Sequence, residues 1–189
     1  MGSCESVLKK YIDSRGGEED RDKLRELFKI GSVDQRYELL INVRGGVDGT
    51  WTGVYRGACG NDLESIKYML DHFSANQIYD VVKIQGMAKW TALHTAAING
   101  YTSIINYLLS ELSQQQKYDL LKIQSQNGYT ALYIAASSKK VEAVKAIISS
   151  VSSPLLIQLL NIKDNQGQTV TDIRPELHDE LPFLANQSW

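Results

Sequence analysis

An all-α solenoid of stacked helix pairs, with short β-hairpin loops and an extra short helix in each repeat, is the fold that this sequence predicts. Three observations predict it. Thr52, Thr91, Thr130 and Thr169 recur every 39 residues, and a register held over that distance marks one structural unit copied end to end. The copies superpose without gaps: Trp90-Thr91-Ala92-Leu93-His94 lies over Tyr129-Thr130-Ala131-Leu132-Tyr133, with a degenerate copy at Trp51-Thr52-Gly53-Val54-Tyr55. Behind each copy comes a helical apolar signature, Ile66/Met69/Leu70, then Ile105/Leu108/Leu109, then Val144/Ile147/Ile148.

A unit opens on a turn. Asp164-Asn165-Gln166-Gly167 and Ser125-Gln126-Asn127-Gly128 put a turn-forming side chain first and a glycine fourth, where positive φ carries no steric cost. Gly86-Met87-Ala88-Lys89 lacks that glycine, so its hairpin is expected to be strained or differently shaped. The threonine then caps the first helix by accepting from an unpaired backbone N–H, and the His94 ring returns to the same corner in a structural rather than catalytic role. Tyr133 and Asp172 replace that histidine in later copies. Ala96-Ala97, Ala135-Ala136 and Gly57-Ala58 are small, which lets neighbouring first helices stack at the low end of about 8 to 10 Å. Gly100, Asn61 and Lys139 occupy the left-handed position that ends this helix, the lysine at a penalty.

A second helix carries the apolar signature, and a short third helix is predicted over 75–83, 114–122 and 154–160. Ser74, Ser113 and Ser152 are good N-caps, Pro154 fits a first turn, and Ile78/Val81/Val82 and Leu156/Leu159/Leu160 recur at i, i+3, i+4. The block Tyr79-Asp80-Val81-Val82-Lys83-Ile84-Gln85 repeats as Tyr118-Asp119-Leu120-Leu121-Lys122-Ile123-Gln124 and ends each unit.

Terminal units of an array are atypical because one face has no neighbour. Val7, Leu8, Tyr11 and Ile12 supply a first helix, Gly16-Gly17 a bend, Leu24/Leu27/Phe28 a second helix and Tyr37-Glu38-Leu39-Leu40 the short third one. At the other end Thr169-Val170-Thr171-Asp172-Ile173 begins a unit that Pro175 and Pro182 stop, with Phe183 and Leu184 as cap packing and Trp189 either packed with them or exposed. The expected organisation is one continuous solenoid domain: a degenerate N-terminal capping repeat 1–45, repeats 46–85, 86–124 and 125–163, and a C-terminal capping half-repeat 164–189.

Thr91-Ala92-Leu93-His94-x-Ala96-Ala97-x-x-Gly100 resembles the ankyrin repeat motif nearly position for position, and Asp164-x-x-Gly167-x-Thr169 resembles the hairpin that opens such a repeat. The resemblance is clear from 46 to 174 and loose before that. It implies an ankyrin-type α-solenoid. Ordinary units of that family run about 33 residues, so each copy here carries about six more, placed after the second helix.

Composition narrows the function classes. A net charge of −2 gives no overall positive field to collect a nucleic acid backbone. Arg15-Gly16-Gly17 and Arg44-Gly45-Gly46 are better read as turns than as RNA-binding fragments. Two cysteines far apart, Cys4 and Cys59, fit a reducing, cytoplasmic setting without a disulfide framework. The sequence holds no run of eighteen apolar residues and no secretory h-region. His72, His94 and His178 stand outside any zinc, phosphate-loop or nucleophile-elbow motif, and Gly45-Gly46-Val47-Asp48-Gly49 reads as an enlarged hairpin. No catalysis, cofactor or metal is expected.

The expected function is non-catalytic protein binding, by a monomer, through the concave strip of hairpin tips and first-helix edges. Its candidate residues are Trp51; Met87, Trp90, Ile98 and Asn99; Gln126, Asn127 and Tyr129; and Asn165, Gln166 and Gln168. Trp51, Trp90 and Tyr129 are equivalent positions and should line up as a row, serving either as partner anchors or as shields over the hairpins. The resemblance implies a protein partner and does not say which. A second reading is a membrane-associated adaptor. Met1-Gly2-Ser3-Cys4-Glu5-Ser6 fits the N-acylation pattern, with Gly2 as acceptor and Cys4 as a second site, although Met-Gly-Ser is also a common cloning remnant.

Overall fold

Helices follow one another in triplets along the chain. The first is α1 Gly2–Asp13, α2 Glu18–Ile30 and α3 Val33–Asn42; the second α4 Gly53–Cys59, α5 Leu63–Leu70 and α6 Ala75–Val82. The third is α7 Ala92–Asn99, α8 Thr102–Ser110 and α9 Gln114–Leu121, and the fourth α10 Ala131–Ser137, α11 Val141–Ser150 and α12 Ser153–Leu160. A further first helix, α13 Val170–Ile173, follows. The structure, a computed structural model, describes residues 2–14, 18–46 and 49–177. The expectations for Arg15-Gly16-Gly17, Val47-Asp48, His178, Pro182, Phe183, Leu184 and Trp189 lie outside the described residues.

The capping threonines set the start of every later first helix. Thr52, Thr130 and Thr169 accept from the N–H of Tyr55, Tyr133 and Asp172 at 3.0, 3.2 and 3.2 Å. Thr91 makes a reciprocal box with His94. Each cap satisfies one N–H that the helix leaves without an internal acceptor. The third helices form where serine, apolar spacing and Pro154 place them. Ser32, Ser74 and Ser113 make capping boxes with Gln35, Gln77 and Gln116. Ser152 differs, since its side chain makes no cap bond and its N–H instead donates to Gln114 Oε1 of the preceding unit at 2.8 Å.

Equivalent helices then lie side by side. α1, α4, α7, α10 and α13 pack in succession as an inner row, α2 lies on α5 and α8 on α11, and α3, α6, α9 and α12 run as an outer row. The contact residues explain the close inner stacking. A Cβ added to Gly53 would stand 3.0 Å from Leu8 Cδ1 of the neighbouring α1, and one added to Gly57 2.6 Å from Ile66 Cγ1 of α5 in its own unit. Ala96, Ala97 and Ala135 are fully buried in the same row. One core cluster runs from Leu8 to Leu177. Ile105 and Leu108 within it are fully buried, each contributing about 1.5–3 kcal/mol relative to exposure.

The N-terminal triplet is locked to the second by a buried polar joint. Asp62, the N-cap of α5, accepts the Tyr11 hydroxyl at 3.1 Å and is ion-paired with Arg21, whose Nε lies 3.1 Å away, and Arg25 reaches Glu64 at 2.7 Å. Burial and the Asp62 carboxylate push the Tyr11 phenol well above its ordinary pKa.

Candidate partner-binding strip

Hairpin tips project where the chain turns from a third helix to the next first helix, and each closes with few backbone bonds. Gly45 and Trp51 exchange a pair at 3.0 Å; Gly86, Ser125 and Asp164 donate to Trp90, Tyr129 and Gln168 at 2.6, 2.9 and 2.9 Å. Among the described residues no strand grows beyond the single Gly45–Trp51 bridge.

The tips also bond to one another. Gln126 N–H donates to Ala88 O at 2.8 Å, Asn165 N–H to Asn127 O at 3.2 Å, and Asn165 Nδ2 to Gln126 O at 2.9 Å. The backbones of these tips therefore carry the stack from one unit to the next. A Cβ on Gly128 would stand 2.5 Å from Asn165 N, so the glycine there answers to close approach as well as to its φ of 82°.

The Met87 tip departs from its neighbours as the missing glycine predicts. Lys89 stands where Gly128 and Gly167 stand in the next units, at φ 59°, and Ala88 beside it has φ 54°. The segment Met87–Lys89 closes as a tight left-handed turn, the Lys89 N–H donating to Gly86 O at 3.1 Å and the Trp90 N–H to Met87 O at 3.0 Å. Two successive non-glycine residues in the left-handed region concentrate backbone strain at this tip.

The three aromatic rings each pack on the residue four positions on, at the third place of their own helix. Trp51 meets Tyr55 with centroids 5.4 Å apart, Trp90 meets His94 at 6.1 Å, and Tyr129 stacks on Tyr133 at 4.6 Å and 7°. Trp51 and Tyr129 are half-buried against the core, and the Trp51 indole N–H is buried with no hydrogen-bond partner among the described residues. The expected row is therefore three separate ring-on-corner contacts. Four-residue spacing from each ring to Tyr55, His94 or Tyr133 was the signal for it.

His94 has both ring nitrogens committed. Nδ1 accepts the Thr91 N–H at 3.2 Å and lies 2.8 Å from Thr91 Oγ1, so Nε2 carries the proton and donates to Tyr129 O at 3.0 Å. Burial lowers its pKa to about 4, against the opposing pull of the Tyr129 carbonyl.

The exposed surface of the strip is apolar in one unit and amide-rich in the others. Met87 and Ile98 are 47% and 37% exposed. Met87 O accepts the Trp90 N–H at 3.0 Å, the Trp90 ring lies on His94, and Ile98 follows His94 one turn along the same face of α7. Met87, Trp90 and Ile98 fall in one unit, Met87 and Ile98 exposed and Trp90 half-buried. Asn99 of the same unit and Gln126, Asn127, Asn165, Gln166 and Gln168 of the next two tips are exposed, with the Asn99 amide donating to Thr95 O at 2.9 Å. Cys59, at the position of Ile98 in the preceding unit, is half-buried and its thiol is pushed up by burial.

At the N-terminus Gly2 opens α1 and Cys4 is half-buried. No helix among the described residues is long and apolar enough to cross a membrane.

The family model for ankyrin repeats (3 copies) matches residues 54–154. Taken with the capped first helices and the triplet stack, this places the chain in the ankyrin repeat family, as an all-α repeat solenoid with a third helix added to each unit. A search of curated proteins finds no match. Ankyrin repeats are generally protein–protein interaction modules.

Proposed function

We propose that the chain is a non-catalytic adaptor that binds a protein partner, as a monomer, through the edge formed by Met87, Trp90 and Ile98. The observation that carries this reading is the exposure of Met87 and Ile98 on either side of Trp90, at the one tip where Ala88 and Lys89 hold strained φ values. Large apolar and aromatic side chains on one edge are the usual centre of an interface. The surrounding Asn99, Gln126, Asn127, Asn165, Gln166 and Gln168 are neutral amides that suit a polar rim.

The candidate residues are uncharged and Lys89 is exposed among them, so capture of the partner should lose little at high salt. The test compares affinity capture from the native cell by wild type, by Trp90→Ala, and by a Trp51/Trp90/Tyr129 triple alanine variant. Loss of the captured protein by Trp90→Ala at unchanged melting temperature supports the reading. Retained capture with lowered melting temperature assigns the ring to shielding instead.

A further inference from the structure

A pocket of about 480 Å³ lies where the C-terminal end of α1, the first hairpin and α4 meet, and its wall carries Lys9, Ile12, Asp13, Trp51 and Arg56. Close approaches build it. Gly46 N–H donates to Asp13 Oδ1 at 2.7 Å, and a Cβ on Gly45 would run into that same oxygen, so the hairpin lies against the end of α1 only because both positions lack a side chain. A Cβ on Gly46 would meet Trp51 Cγ at 2.5 Å, so the indole packs on bare backbone. Arg56 Nε donates to Ser14 O at 2.8 Å, which fixes the guanidinium at the pocket wall.

Positive charge is left over there. Lys9 and Arg56 make no ion pair among the described residues, and of the Arg56 nitrogens Nε alone is bonded to the protein there. Against these two cations stands Asp13, whose Oδ1 already holds the Gly46 N–H, leaving one positive charge in excess among the described residues of the lining. The Trp51 indole N–H, buried in the wall and without an acceptor among the described residues, adds the positive end of a side-chain dipole.

We propose that this pocket binds a carboxylate carried on a short apolar stem. The planar guanidinium of Arg56 can meet the two oxygens through its two terminal nitrogens, Lys9 adds a second cation, and Ile12 and the Trp51 ring offer an apolar wall to the stem. A single excess positive charge, with Asp13 in the lining, favours a singly charged anion over a doubly charged phosphate. The pocket falls within the range of about 300 to 1,000 Å³ typical of sites for small molecules. A free monocarboxylic acid and a glutamate side chain of a bound polypeptide share this chemistry.

The inference is independent of the Met87 edge, and its test uses no captured partner. The full chain is labelled with nitrogen-15, and the Trp51 indole N–H resonance, assigned by its loss in Trp51→Phe, is followed by NMR. Titrants at constant ionic strength are butyrate, the blocked peptide acetyl-Ala-Glu-Ala-amide, their neutral counterparts butyramide and acetyl-Ala-Gln-Ala-amide, and inorganic phosphate. Butyrate should shift the resonance saturably and the neutral compounds should not. Lys9→Gln should weaken butyrate about threefold. Arg56→Lys, which keeps the charge and loses the fork, should weaken it about tenfold. Saturation by the glutamate peptide as well supports a polypeptide side chain as the source, and saturation by butyrate alone supports a free acid. No saturation by either acid, or equal shifts with the neutral compounds, overturns the proposal. Phosphate binding more tightly than both acids overturns the selection of a carboxylate, and affinity unchanged in both variants, each with the helical circular dichroism of wild type, overturns the site.

Discussion

Gln85 and Gln124 are joined across two units: Gln85 Nε2 donates to Gln124 O at 3.0 Å while also donating to Lys89 O within its own turn at 2.7 Å. Gln124 repeats the arrangement one unit on, with Gly128 O at 2.6 Å and Lys163 O at 2.8 Å. Each side-chain amide holds one hairpin closed and ties it to the following one. Gln124→Ala should therefore cost about 1–3 kcal/mol, since two carbonyls lose their donor, the one within the turn being partly buried. Urea unfolding of the two single variants checks this, and Gln85→Ala, the more exposed of the pair, should cost less.

Lys89 and Gly128 occupy equivalent places and should respond oppositely to substitution. Lys89→Gly relieves a left-handed lysine and keeps the backbone acceptor used by Gln85, so it should stabilise by about 0.5–1 kcal/mol after the extra chain entropy of glycine is subtracted. Gly128→Ala drives a Cβ to 2.5 Å from Asn165 N and should destabilise by about 1–3 kcal/mol. Thermal melts of both variants decide the matter; a stabilised Gly128→Ala would be incompatible with the tip-to-tip contact.

The His94 corner gives the fold a pH dependence of known sign. Its folded pKa is held near 4 by burial, below the ordinary value of 6.5, so the unfolded chain binds the proton more readily. The stability it supports is fully present above pH 6.5 and declines as pH falls toward 4, by about 3 kcal/mol at most. Urea midpoints at pH 7 and pH 4.5 should differ more for wild type than for His94→Gln. Equal differences would remove His94 from the account.

On the strip, Met87→Ser and Ile98→Ser remove exposed side chains, so each should leave the melting temperature within a few degrees. Each should weaken partner binding by about 1–2 kcal/mol, and Trp90→Ala by about 2 kcal/mol or more. Titration calorimetry with the captured partner measures both.

Much of this was legible in the chain. Threonine caps, left-handed Asn61, Gly100 and Lys139, and the third helices capped by Ser74 and Ser113 follow from local rules, because their partners lie within four residues, whereas the Ser152 N–H bonds to Gln114 of the preceding unit. The glycine missing at Lys89 correctly marked the odd hairpin. Interactions across units were not legible in the same way. Gln85 and Gln124 stood in the repeated block, yet a glutamine's acceptor is a backbone carbonyl 39 residues away, and composition does not point to it. Trp51, Trp90 and Tyr129 were seen as equivalents, but each ring's partner on its own helix depends on side-chain direction as well as spacing. The pocket beside Trp51 is assembled from α1, the first hairpin and α4, which no single segment encodes.

Equivalence of units is the claim on which the rest stands, and excising residues 86–124 tests it most directly. The deletion joins Gln85 to Ser125 in register, setting α4 against α10 and α6 against α12. Urea unfolding of the shortened chain should show one cooperative transition with a smaller slope, in proportion to the area lost, and helical circular dichroism reduced by one unit's share. A chain that loses cooperativity, or loses helix well beyond that share, would contradict the account.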